Sequence, residues 1–318
     1  MTLAIGIDVG GTNIRGGVVD ETGKILKRAR LSSDSRLGKG HFLNQLKKVV
    51  DELGVVAAGP PLLQGIAIGL PGIVDPAQGI VYASPHFEDW KNWNAVNDIE
   101  KLLGRRPEID NDANFAVLGE GWLGAAKEWP HYLMITLGTG IGGGIVIDKK
   151  VWHGDRGFAG EFGHIIVETE GPRCFCGGRG CLEMFASATG LKILIEEAPE
   201  AIDKRDFLRL CDKEIEGITM EEVYRLAQDG NSFAISLFKR VGFYLGVGIA
   251  SLVNTLGMER VVIGGGIRAA WDFFIGEAKK EVGKRTYKET AARLQIVPSA
   301  LGDDAGILGA AARVFTLS

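Results

Sequence analysis

The sequence is poor in the residues that mark several protein classes. Ten prolines in 318 residues are too few for a proline-rich or collagen-like chain, even with the glycines added. Four cysteines, three of them crowded into Cys174, Cys176 and Cys181, do not make a secreted disulfide scaffold. Neither sign of charge dominates: 36 basic against 40 acidic residues leave a net charge of -4, with a pI near 5.8. No basic block supplies the footprint of a nucleic-acid binder, so no nucleic-acid partner is expected. The longest apolar stretch, 233–256, is interrupted by Lys239 and Arg240, short of the about 20 apolar residues in a row of a membrane span. The opening MTLAIGIDVGG lacks the charged start and apolar core of a signal peptide. A cytoplasmic protein without a membrane partner is expected.

What the chain has in excess is glycine: 46 residues, about twice the usual share. A hydrophobic fraction of 46% against 24% charged residues is enough to offset chain entropy and build a core. The length suits two domains or one large one.

Apolar β-branched runs at 3–9 and 14–20, separated by Gly10, Gly11, Thr12 and Asn13, predict a hairpin with a glycine-rich turn. A strand at 25–31, a helix over His41–Val56 and a strand at 63–70 follow. A short helix near 96–103, a strand ending at Asp110 and a helix over about 113–122 complete this half. Strands at 132–137 and 144–147 then repeat the strand–glycine turn–strand pattern. From 184 onward helices dominate, near 187–197, 204–211, 219–228, 232–255 and 268–284. Strands at 260–263 and 294–297 interleave, and a last helix spans about 305–315. This order indicates an α/β protein, and the repeated hairpin suggests two similar halves.

The turn Asp8-Val9-Gly10-Gly11-Thr12-Asn13, with Arg15 beyond it, suits phosphate: bare backbone N–H groups approach the oxygens and Thr12 adds a hydroxyl. Asp8 would hold a hydrated metal ion on the phosphates; a plain tight hairpin is the competing reading. The second turn, 138–143, satisfies G-x-G-x-x-G. That dinucleotide fingerprint requires a helix next, and here a strand follows, so it is rejected. Gly264, Gly265 and Gly266 do follow a strand and precede a helix, beside an adenosine or simply at a corner. Together the clusters favour a nucleotide clasped between two lobes.

Ten residues after His164 begins the pattern Cys174-x-Cys176-x4-Cys181. Three thiolates and one imidazole complete a tetrahedral structural zinc site with no open position; free buried thiols are the alternative, and Cys211 stands apart as a packing or surface residue. Glu161 and Glu183 flank the knuckle and, with the edge of His164, suit sugar hydroxyls as acceptors; surface carboxylates are the plainer alternative. Asp112, in Asp110-Asn111-Asp112-Ala113-Asn114, reads either as the N-cap of the following helix or as a base taking a proton from an attacking hydroxyl, with Asn111 orienting the substrate. Spacing does not choose. Trp90, Trp93 and Phe115 suit core packing better than a wall behind a sugar, and Gly242, Gly246 and Gly248 suit close helix packing.

In this order and spacing, the motifs resemble the ROK family of bacterial sugar kinases and repressors across essentially the whole chain. The match runs through Asp8, Gly10, Gly11, Thr12 and Arg15; Gly138, Thr139 and Gly140; Glu161-Phe162-Gly163-His164; and Cys174 to Cys181 with Leu182 and Glu183. The stretch 183–190 looks most like the glucokinase branch. The resemblance implies a two-lobed actin-like (ribonuclease H-like) ATPase fold with an interdomain cleft. A smaller lobe, 1–115, would be completed by a C-terminal helix at about 303–318, and a larger lobe, 116–302, would carry the zinc knuckle. It implies phosphorylation of glucose by ATP with Mg2+, with Asp112 as base and Asn111, Glu161, His164 and Glu183 binding the sugar. His164, Cys174, Cys176 and Cys181 would hold structural Zn2+. The 10–13 and 139–140 turns would hold the phosphates and Gly264–Gly266 the adenosine. A homodimer or higher homo-oligomer is expected. Rival expectations are a kinase for N-acetylglucosamine, mannose or fructose, and polyphosphate as donor. A sugar-responsive repressor is disfavoured, because its helix-turn-helix would have to precede a motif that begins at Asp8.

Overall fold

The computed structural model describes residues 1–54 and 62–316. Strands β1 (Thr2–Val9), β2 (Asn13–Asp20) and β3 (Ile25–Ser32) form an antiparallel meander. Helix α1 (Gly38–Leu53) follows and ends on Gly54, which takes a left-handed conformation and returns its N–H to the Val50 carbonyl. That cap stops the helix before Val56, which lies outside the described residues. Strand β4 (Leu62–Leu70) leads into β5 (Ile73–Asp75), β6 (Ile80–Ala83) and β7 (Trp93–Asn94), a small antiparallel sheet that the sequence reading did not anticipate. Helix α2 (Ala95–Leu103), strand β8 (Glu108–Asn111) and helix α3 (Asp112–Trp122) come next.

The second half begins with β9 (Tyr132–Leu137), β10 (Ile141–Ile147) and β11 (Lys150–Val151). Residues 141–143, assigned above to the glycine turn, already belong to β10. After the knuckle come α4 (Glu183–Ala186), α5 (Ala188–Glu197), α6 (Ile202–Cys211), α7 (Met220–Gln228) and α8 (Ser232–Leu256). Then follow β12 (Arg260–Gly264), α9 (Trp271–Arg285), α10 (Lys288–Arg293), β13 (Gln295–Pro298) and α11 (Ala305–Thr316).

The two large sheets share one plan. Their orders are β3-β2-β1-β4-β8 and β11-β10-β9-β12-β13. In order of appearance, each reads third, second, first, fourth, fifth. The repeated hairpin seen in the sequence is thus the start of a repeated sheet. The chain divides into two compact units, one of residues 1–130, 144–160 and 300–318, the other of 131–143 and 161–299.

In the first unit, alternation along β1 sorts the core. Leu3, Ile5, Ile7 and Val9 point into a cluster with Phe42, Leu46, Val49 and Ile99 of α1 and α2. Ala4 faces the other way, against Phe115 of α3 and Ile307, Leu308 and Ala311 of α11. Large residues on one face and small ones on the other let α11 lie close to the sheet. Gly309 continues that economy: a side chain there would strike the Phe115 carbonyl, so α3 and α11 touch backbone to backbone. Trp90 and Trp93 lie in the first cluster with Phe42 and Phe87, and Phe115 lies in the second. All three are core residues.

In the second unit, β9 and β12 pair in parallel, and Leu133, Met134, Ile135, Val261, Val262 and Ile263 are all buried. Helix α8 is long and apolar enough to cross a membrane by length and composition. Its Leu237, Phe238, Val241, Leu245 and Ile249 are buried within this unit. Gly242 and Gly246 sit against the α9 carbonyls of Phe274 and Ala278, as close packing requires. Cys211 is buried at the end of α6.

Candidate active site

The first turn joins β1 to β2. The Gly10 N–H donates to the Asn13 carbonyl at 2.8 Å, closing the turn and leaving Gly11 and Thr12 at its tip. Asn13 accepts from Arg30 Nε at 3.1 Å, and the Thr12 carbonyl accepts the Ser33 N–H at 2.9 Å; both contacts brace the turn against β3. Asp8 is buried on β1 and receives Arg15 across the hairpin at 2.5 Å. Burial raises the Asp8 pKa above the ordinary carboxylate value, and the Arg15 guanidinium opposes that rise. The buried Asp8 carboxylate beside this turn is a donor of the kind that suits Mg2+, which takes one or two carboxylates and keeps several waters. His86, which no sequence motif marks, places its ring 2.8–3.1 Å from where a Gly11 side chain would begin.

Asp112 opens α3, but it is not the cap. Asn111 has the extended cap conformation, and its Oδ1 accepts the N–H groups of Ala113 at 2.9 Å and Asn114 at 3.2 Å. Its Nδ2 donates to the Gly72 carbonyl at 2.8 Å. The capping role weighed for Asp112 therefore falls to Asn111, whose extended backbone brings one side-chain oxygen over two N–H groups of the first turn. Asp112 lies in the first turn, with Oδ1 on the Ala113 N–H at 2.9 Å.

In the second unit, the turn at Gly138–Gly140 is closed by a Gly138 N–H to Gly140 carbonyl bond at 2.9 Å. The start of α5 anchors it: the Ala188 N–H donates to the Gly138 carbonyl at 2.9 Å, and Thr189 Oγ1 donates to the Thr139 carbonyl at 3.0 Å. Glu183 reaches the same turn. Its buried carboxylate accepts the Ile141 N–H at 2.7 Å, so one of its oxygens is engaged in holding β10 in place. Of the third glycine cluster, Gly265 has φ 88° and abuts the Leu137 carbonyl at the end of β9. A β-carbon would strike there and favour another backbone conformation. Gly264 faces Met134, and only Gly266 opens onto free space.

The knuckle brings His164, Cys174, Cys176 and Cys181 together, with one donor atom from each, all within 4.8 Å of one another. His164 Nδ1 lies 3.6 Å from Cys174 Sγ, and Cys176 Sγ lies 3.6 Å from Cys181 Sγ. Zinc bonds of about 2.3 Å to sulfur and about 2.0–2.1 Å to nitrogen put neighbouring corners of a tetrahedron about 3.6–3.8 Å apart. The donor set thus fits a tetrahedral metal. Desolvation raises Cys174, and it pushes Cys181 up to about 12 with the help of the neighbouring sulfurs. The Gly178 N–H lowers Cys176. A dication among them would reverse the rise by stabilising thiolates.

The metal-shaped cluster also ties two carboxylates to one frame. Glu161 precedes the 3₁₀ turn that carries His164, and its Oε2 lies 3.9 Å from His164 Nε2. Cys181 runs directly into α4, which begins at Glu183. Desolvation raises Glu161 above the ordinary carboxylate value although 43% of its side-chain surface is open. The His164 ring opposes this rise and Glu183 adds to it.

Two sheets of one order, each led by a glycine-turned hairpin, define a mixed α/β protein of the actin-like ATPase fold, the architecture of solved ROK sugar kinases. Residues 4–316 match the model of the ROK family, and the chain belongs to that family. It is 36% identical over 307 residues to a glucokinase of Thermotoga maritima, covering 96% of this chain and 95% of the relative. A ROK family glucokinase of Streptomyces griseus, solved in complex with glucose and AMPPNP, superposes with a TM-score of 0.83 at 30% identity, covering 97% of this chain and 98% of that one. The xylose repressor of Bacillus subtilis is 28% identical over 309 residues, which are 96% of this chain and 75% of the repressor.

Proposed function

We propose that the chain is a glucokinase, which transfers the γ-phosphoryl group of ATP to the 6-hydroxyl of glucose. The observation that carries this reading is Asp112 at the head of α3, relieved of capping by Asn111, in a chain whose similar relatives include glucokinases. Asp112 takes the proton from O6 as that oxygen attacks the γ-phosphorus in line. The O6–P bond forms, the bond from phosphorus to the β,γ-bridging oxygen breaks, and ADP leaves with the electron pair.

Asn111, whose amide keeps a second hydrogen beside the one given to Gly72, orients the acceptor together with Glu161, His164 and Glu183. His164 Nδ1 lies 3.6 Å from Cys174 Sγ; a metal held on that nitrogen would leave the proton on Nε2, from which His164 would donate to the sugar, where the sequence alone suggested an acceptor. Gly11, Thr12, Asn13 and Arg15 receive phosphate oxygens with Thr139 and Gly140, and Gly264–Gly266 lie along the adenosine. Asp8 would hold Mg2+ on the phosphates, where the ion neutralises charge. We assign zinc to His164, Cys174, Cys176 and Cys181; with four protein ligands it orders the sugar-binding segment and activates no water.

The test is a coupled assay with glucose, N-acetylglucosamine, mannose and fructose, each with ATP and with polyphosphate. Glucose with ATP is expected to give the highest kcat/KM. Equal use of all four sugars would sink the glucokinase assignment, and preference for polyphosphate would sink the assignment of ATP.

A further inference from the structure

Asp110 lies two residues before Asp112 at the end of β8, only 4% exposed. Its Oδ1 accepts the Asn111 backbone N–H at 2.7 Å and Asn114 Nδ2 at 2.8 Å. Its Oδ2 meets His153 Nε2 at 2.7 Å. An ionised carboxylate only accepts, so Nε2 carries the hydrogen. His153 comes from beyond β11, 43 residues along the chain. Its own segment is fixed on either side: the Trp152 N–H donates to the Ile145 carbonyl at 2.8 Å, and the Ala159 N–H to the His153 carbonyl at 3.2 Å.

We propose that His153 is a positioning residue for phosphoryl transfer: it holds Asp110, and through it Asn111 and Asp112, in register at the head of α3. The proposal rests on the kinase reading above. Asp110 is the common partner of the Asn111 backbone and the Asn114 side chain, on either side of Asp112. Without His153 its second oxygen is a buried acceptor with no donor, and the carboxylate must admit water or turn toward another donor. Either change disturbs the bond to the Asn111 N–H, and with it the cap of α3 and the path of the backbone into Asp112. The first phosphate turn lies on β1 and β2 and has its own braces at Arg30 and Ser33, so nucleotide binding is not exposed to this change.

The experiment is steady-state kinetics of His153→Leu and His153→Gln beside the wild type, varying glucose and ATP. Because small misplacements of a reacting group cost up to about 100-fold, kcat of His153→Leu is expected to fall about 10- to 100-fold. KM for ATP should stay within about twofold, the pattern of an interaction acting on the chemical step. Glutamine places an N–H where Nε2 stands, so His153→Gln should recover most of kcat. His153→Leu with wild-type kcat overturns the proposal. So does a parallel change in kcat and both KM values that glutamine does not relieve, which marks a purely structural role. If His153→Leu fails to fold, His153→Asn takes its place: its shorter amide cannot reach Asp110, and a kcat equal to that of His153→Gln overturns the proposal. A wild type inactive with every sugar and donor removes the kinase reading and this proposal together, whereas an active wild type with an unaffected His153→Leu removes the proposal alone.

Discussion

Asp112→Asn is expected to reduce glucose phosphorylation by about 10²–10⁴-fold in kcat, the usual contribution of a positioned general base, while glucose binding is largely kept. The substitution is well matched to the site. Asparagine retains an oxygen to accept the Ala113 N–H, as Asp112 Oδ1 does at 2.9 Å, and the cap of α3 belongs to Asn111. What is lost is a carboxylate able to take the proton of O6. The loss of a negative charge from the first helical turn costs about 0.3–1 kcal/mol of stability, too little to unfold a domain. Kinetics paired with calorimetric titration of glucose separates the two effects. Turnover near wild type would remove Asp112 from the role of base, and loss of glucose affinity in step with kcat would make it a binding residue.

Cys176→Ala is expected to abolish zinc binding at the cluster to which we assign it and to loosen the proposed sugar site. Cys176 is the exposed member of the cluster, so its truncation opens no cavity, and beyond one bond from the Gly178 N–H its effect is expected through the metal. Three ligands remain, but the bridge between the His164 turn and the Cys181–Glu183 segment is weakened. Glu161, His164 and Glu183 then lose their common frame. Loss of order of this kind should raise KM for glucose by about tenfold or more. The turn at Gly10–Asn13, to which we assign phosphate oxygens, belongs to the other unit, and the Gly138–Gly140 turn has its own anchors at Ala188 and Thr189, so KM for ATP should change less. Metal analysis of the purified variant, beside sugar titration, checks both parts. Unchanged zinc content would refute the ligand assignment, and zinc loss with an unaltered glucose KM would refute its role as a frame.

Much of this was legible in the sequence because the signals were local. The knuckle was readable since three thiols and a histidine lie within 164–181, and ligand spacing of that kind leaves few alternatives. The paired hairpins were readable because a strand, a glycine turn and a second strand follow one another directly. The small sheet of β5, β6 and β7 was not, since strands of two to four residues are too short to show a period. The choice of cap between Asn111 and Asp112 was not legible either: both residue types cap helices, and backbone conformation decides. Nor did composition distinguish Gly266, which has open space beside it, from Gly265, required by packing. The bond between His153 and Asp110 joins residues 43 apart, and no local pattern marks either partner. Contacts of that range belong to the folded chain.

The chain is expected to transfer a phosphoryl group from ATP to the 6-hydroxyl of glucose. Phosphorus NMR of the purified chain with ATP, Mg2+ and glucose follows it directly. The γ-phosphate signal should disappear as those of glucose 6-phosphate and ADP grow in equal amounts. Free phosphate in place of the sugar ester, or an ester at another hydroxyl, would contradict it.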